Sequence, residues 1–146
     1  MAATGAAMAL CDLAGCARPV EVPEPTPAPD VAALCASFTA ALPDSLPTAG
    51  DRREVTGSKE LTAAYGDPPV GLRCGVPEPE ALSPTSTLVT VDSVDWFPEE
   101  LTGGWRMTTV GLPAEIEITV PSEQGPAPSV AADLVPVITG TIPSAG

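Results

Sequence analysis

Five side chains of this sequence stand out as able to take part in binding chemistry: Asp67, Arg73, Asp95, Trp96 and Arg106. Asp67 and Arg73 flank a rigid Asp-Pro-Pro turn, where they could form an ion pair. The structural alternative, which we favour, is that Asp67 caps the turn and Arg73 pairs on the surface of a sheet. In a binding module, Arg73 or Arg106 would meet an anionic group of the ligand.

The segment Asp95-Trp96-Phe97 places an acid next to two aromatic rings. Such a platform binds the face of a sugar, and Trp105 could join it across a hairpin. The alternative, which we favour, is that Trp96 and Phe97 fill one end of the core, because tryptophan buries a large area.

Composition excludes several classes of function. The 146 residues carry a net charge of −13 and no histidine. Without histidine, Ser–His and Cys–His catalysis are excluded, and an acidic surface disfavours nucleic acid. Two carboxylates can hydrolyse a glycosidic bond, and the composition allows such a pair. We interpret Glu99-Glu100, Glu115 and Glu117 as solvated side chains instead. No spacing predicts a metal site or a cofactor, and no run of about 18 apolar residues predicts a transmembrane helix.

The N-terminus carries the most specific motif, Leu13-Ala14-Gly15-Cys16. It resembles a bacterial lipobox, so we expect residues 1–15 to be a signal peptide and Cys16 to be lipidated. The stretch lacks Lys and Arg and contains Asp12, so we expect the true start to lie upstream. The alternatives are a chance sequence in an alanine-rich stretch, a truncated signal anchor, a secreted protein, or a cytoplasmic protein.

Counting cysteines supports export. If Cys11 leaves with the signal and Cys16 carries lipid, Cys35 and Cys74 remain as a pair in an oxidising compartment. We therefore expect them to form a disulfide, the alternative being two buried free thiols.

The rest of the chain divides into a linker and one domain. Residues 16–29 are rich in proline and predict an extended spacer of about 40 Å that holds the domain off the membrane. Residues 30–146 predict an α+β domain: an antiparallel sheet of four to five strands with two helices on one face. The predicted elements are a helix from Asp30 to Leu42, a loop over 43–60, a short strand or turn over 61–66, strands over 70–76, 87–92, 105–110 and 114–120, and a helix from Ser129 to Ile142.

Several segments together carry a family resemblance: 34–35, 41–43, 62–70, 72–77, 94–97, 108–111 and 117–121. The most specific is Gly-Asp-Pro-Pro-Val-x-Leu-Arg-Cys-Gly-Val-Pro, over 66–77. Through them the chain resembles an actinobacterial family of small exported proteins of unknown function. The resemblance implies two recurring cysteines and an N-terminal signal or lipid anchor, and it transfers no catalytic residues.

These observations predict a non-enzymatic lipoprotein, anchored to the cytoplasmic membrane and facing outward, that contacts an envelope protein or the cell wall. A module that binds a small molecule or a wall fragment in an aromatic and arginine cleft is the alternative. A carboxylate hydrolase is the third hypothesis.

Overall fold

The computed structural model describes residues 18–144, and its first regular element is helix α1, Pro29–Ala41. Pro29 occupies the first turn, where its missing N–H costs nothing and its fixed φ suits a helix. The N-cap is therefore Ala28, and the expected cap, Asp30, lies in the first turn instead. The helix ends before Pro43, as predicted.

Eight strands follow in the antiparallel sheet, three more than the upper limit predicted. They are β1 (Ser45–Leu46), β2 (Gly50–Arg53), β3 (Thr62–Tyr65), β4 (Val70–Cys74), β5 (Val89–Val91), β6 (Val94–Leu101), β7 (Gly104–Thr109) and β8 (Ile116–Pro121). Their spatial order is β1-β2-β3-β4-β8-β7-β6-β5. Two four-strand meanders therefore meet where β4 pairs with β8.

The strands β1, β2 and β6 are the ones that the sequence did not indicate. β1 and β2 lie in the predicted loop and read Ser-Leu and Gly-Asp-Arg-Arg, with the charges typical of strands near a sheet edge. In β6, Pro98 and two glutamates interrupt the alternation of apolar and polar residues that is typical of a strand. Pro98 is tolerated because β5 pairs with β6 only as far as Trp96. Asp92 and Ser93, both with positive φ, form the tight turn that joins β5 to β6.

One face of the sheet is covered by both helices. Helix α2, Ala127–Thr141, contacts β5, β7 and β8, and α1 packs on α2. Cys35 of α1 is bonded to Cys74 of β4, which confirms the predicted disulfide. The start of α2 corrects the expected Ser129 cap, because Pro126 is the N-cap and Pro128 lies in the first turn. The core between the layers includes Leu72, Ile116, Ile118, Val130, Leu134 and Ile138.

The proline-rich segment 18–28 lies on the domain, which differs from the free spacer expected. Val20 pairs with Val55 as a parallel bridge, and Val22 is buried. A side chain at Gly75 would lie 2.8 Å from ring carbons of Pro27, so the glycine allows the segment to approach closely. Burial of Val22 and these backbone contacts stabilise the docked segment. The predicted signal peptide and Cys16 lie outside the described residues.

Candidate functional site

The candidate site is a groove on the sheet face that points away from the helices. Arg73 of β4 lies directly opposite Glu117 of β8, which lies opposite Thr108 of β7. Along the neighbouring register, Arg106 of β7 lies opposite Glu99 of β6. Alternation along the strands brings these five side chains to one face, and we call this site the outer groove.

Two ion pairs organise the charges of the outer groove. Arg73 Nη1 lies 3.0 Å from Glu117 Oε1, and Arg106 donates through Nε and Nη2 to both oxygens of Glu99, at 3.0 and 3.1 Å. The hydrogen bond with Glu99 raises the pKa of Arg106 above its ordinary value, although burial acts in the opposite direction. Both pairs are partly exposed, so each stabilises the fold by at most about 1 kcal/mol.

The groove has walls and a definite size. The connection after β4 forms one wall through Val76, Pro77, Glu78, Pro79, Glu80 and Ala81. Near the other side, Arg73 Nε donates to the carbonyl of Pro23 in the docked segment, at 2.8 Å. The open groove has a volume of about 390 Å³, which suits a ligand of modest size.

The hydroxyl of Thr108 is the least explained group in the groove. Thr108 is 1% exposed and lines the groove, yet its Oγ1 has no hydrogen-bond partner. The hydroxyl of its neighbour Thr109, equally buried, donates to Glu115 and accepts from the amide of Ile116. A buried unpaired hydroxyl is costly, and the described residues supply no partner for this one.

The structure brings two of the predicted binding residues together, Arg73 and Arg106. Asp67 is exposed in the turn between β3 and β4. The possible ion pair between Asp67 and Arg73 is not formed; the Arg73 guanidinium is bonded to Glu117 on the sheet surface and to the Pro23 carbonyl. Asp95 is exposed on β6 and accepts a hydrogen bond of 2.6 Å from Thr90 Oγ1.

The aromatic platform is not formed. Trp96 is fully buried in the core, and Phe97, its neighbour in β6, points to the opposite face and is also buried. The position of Trp96 therefore agrees with the favoured interpretation, in which this residue fills part of the core. Trp105 stands apart and is 42% exposed.

Thr108, Glu99 and Glu117 are the groove residues that sequence reasoning missed. The predicted strands 105–110 and 114–120 contain Arg106, Thr108 and Glu117, but Glu99 lies in no predicted strand. Only the strand register shows which of them meet. Glu115, also read as solvated, instead accepts from the amides of Gly111 and Leu112 at the turn. Burial is the main cause that raises the pKa of Glu115.

Other features of the described chain add little chemistry. Within residues 18–144, no cluster of three His, Cys, Asp or Glu side chains could hold a metal ion. In the same range, no helix is long and apolar enough to cross a membrane.

The fold and the groove together define a disulfide-linked α+β domain with a charged pocket on an open sheet face. The chain belongs to the DUF3515 family of proteins of unknown function, whose family pattern matches residues 2–145. The match therefore includes the N-terminal stretch as well as the domain. Comparisons with curated proteins and with solved structures found no match.

Proposed function

We propose that this protein is a non-enzymatic lipoprotein of the cell envelope whose outer groove binds a small zwitterion of the amino-acid or short-peptide type. The membrane anchor is a lipid on Cys16, on the extracytoplasmic side, and the ligand is a peptide fragment of the cell wall. The exported, actinobacterial character of the family is part of the same proposal. The unpaired, buried hydroxyl of Thr108, in a groove that two arginines also line, is the observation that carries it.

The charges of the groove support a zwitterion over a simple anion. The guanidinium groups of Arg73 and Arg106 keep N–H donors beyond those bonded to Glu117, Glu99 and the Pro23 carbonyl, and these can donate to a ligand carboxylate. Four glutamates also line the groove, which leaves it with a net charge of −2: Glu78, Glu80, Glu99 and Glu117. A ligand with an ammonium group beside its carboxylate satisfies both signs, whereas a dianion is repelled.

The carboxylates support binding rather than hydrolysis. Glu99 and Glu117 each accept a hydrogen bond from an arginine, so both carboxylates are held in ion pairs within the groove. Glu115, whose pKa is raised, is bonded to the β7–β8 turn and does not line the groove.

Calorimetric titration of the purified full chain tests the groove. The probes are an alanyl-alanine dipeptide, its C-terminal amide and its N-acetyl form. We expect the free dipeptide to bind and each capped form to bind about tenfold more weakly, because each lacks one charge-assisted hydrogen bond. Thr108→Val should weaken binding by a similar factor, while Thr109→Val, whose hydroxyl is paired elsewhere, should leave affinity unchanged. Equal affinity for all three probes, or no saturable binding of any, would contradict the proposal.

The anchor is tested separately in the host. Mass spectrometry of the N-terminal peptide should show Cys16 carrying a diacylglyceryl group, and Cys16→Ser should release the protein from the membrane fraction. An unmodified Cys16 in the mature protein would overturn the lipoprotein assignment and leave the groove untouched.

A further inference from the structure

Trp105 is the one large apolar side chain that is exposed within residues 18–144. It borders a hollow of about 420 Å³ whose lining is mostly apolar: Val89, Pro98, Met107, Pro126, Ala127 and Pro128. The outer groove is on the other face of the sheet, so the ligand proposed above leaves this surface unexplained.

The docked N-terminal segment begins at the end of the sheet where Trp105 lies. Arg53 Nη2 donates to the carbonyl of Arg18 at 3.2 Å, and its Nη1 donates to the carbonyl of Gly66 at 2.7 Å. Gly66 follows β3 directly. Arg18 is thereby held at the end of the sheet where β3 ends and β4 begins.

The strand register places Trp105 at that end too. Tyr65 pairs with Val70, and Trp105 pairs with Val120. Because Gly71 pairs with Thr119, Val70 is the neighbour of Val120, and all four residues lie across one end of the sheet. Three strand spacings separate β3 from β7, which is roughly 15 Å.

The proposed lipid is therefore close to this end. Cys16 precedes Arg18 by two residues, and two residues span at most about 7 Å. Since the segment from Arg18 onward is docked, no spacer separates a lipidated Cys16 from the domain. This end of the sheet must then face the bilayer.

We infer that the sheet end that carries Trp105 and the Leu101–Gly103 turn rests on the headgroup region of the membrane. The inference rests on the lipid anchor proposed above. An indole ring has an apolar body and a polar N–H, which suits it to the interface between lipid and water. Asp67, Glu100 and Glu123 are exposed nearby, so anionic lipid does not attract this surface, and contact depends on the tether.

Fluorescence quenching by lipid decides the matter. The full chain with Cys11→Ser is coupled through the Cys16 thiol to a maleimide lipid in phosphatidylcholine vesicles with brominated acyl chains. The disulfide protects Cys35 and Cys74 from coupling. Subtraction of the emission of Trp105→Phe, which retains the buried Trp96, isolates the signal of Trp105.

We expect brominated lipid to quench the Trp105 signal and to leave that of Trp96 unchanged. A matched reporter, Leu112→Trp in the Trp105→Phe protein, lies in the turn between β7 and β8 at the opposite end of the sheet and should not be quenched. Equal Trp105 emission in brominated and plain vesicles would overturn the membrane contact. Equal quenching of both reporters would also overturn it, because the domain would then have no preferred orientation.

The host measurement of Cys16 separates the two failures. If Cys16 carries lipid but Trp105 is not quenched, only the membrane contact is lost. If Cys16 is unmodified in the host, the anchor proposal fails and this inference fails with it.

Discussion

Replacing Thr108 by valine should stabilise the ligand-free protein, which is unusual for a polar residue in a sheet. The Thr108 hydroxyl is buried and unpaired, and such a group costs about 1–3 kcal/mol. Valine keeps the β-branched shape and replaces the hydroxyl by a methyl group. We expect the free energy of unfolding to rise by about 1–2 kcal/mol and the Tm by roughly 3–8 °C.

Urea unfolding monitored by circular dichroism measures this change, and Thr109→Val is the matched control. Thr109 is equally buried, but its hydroxyl bonds both Glu115 and the amide of Ile116. Its loss should therefore lower the free energy of unfolding by about 1–3 kcal/mol. If both variants lose stability to the same extent, the Thr108 hydroxyl is satisfied in the free protein, and the argument for a ligand at this position is refuted.

Three further results are expected. Reduction of the Cys35–Cys74 disulfide, which closes a loop of 39 residues, should lower the free energy of unfolding by about 4 kcal/mol in urea titrations with and without reductant. Glu115→Gln should flatten the pH dependence of the free energy of unfolding, because burial raises the pKa of Glu115 in the folded protein above its ordinary 4.5. The contribution of Glu115 to that free energy is full below the unfolded pKa and is lost as the pH rises through the folded pKa. The stability of the wild type relative to this variant should thus fall as the pH rises above about 4.5, and a constant difference would contradict the burial effect. Arg106→Ala, which removes a partly exposed ion pair, should change the free energy of unfolding by less than about 1 kcal/mol yet weaken dipeptide binding about tenfold in calorimetry.

Strands with one buried and one exposed face were predictable from the sequence. In β8, Ile116 and Ile118 alternate with Glu117 and Thr119, and the structure buries the first pair and leaves the second on the open face. The pairing of Cys35 with Cys74 was predictable for a different reason, since counting the cysteines left these two as a pair in an oxidising compartment. Neither inference needed the order of the strands in the sheet.

The groove was not predictable because it depends on pairing between distant strands. Glu117 meets Arg73 across 44 positions of sequence, through the contact of β4 with β8. No local pattern indicates that β4 pairs with β8 rather than with β5, the next strand in the chain. β6 was missed outright, so Glu99 had no predicted strand to bring it to Arg106.

The two arginines of the groove are not equivalent probes of binding. Arg73 also donates to the Pro23 carbonyl, so Arg73→Ala removes a ligand contact and a bond to the docked segment at once. Lost binding in that variant would have two explanations. Arg106 bonds only Glu99 among the described residues, so its removal leaves the segment in place. If the segment and the groove act together, Arg73→Ala should also alter the membrane contact of Trp105, whereas Arg106→Ala should weaken ligand binding alone.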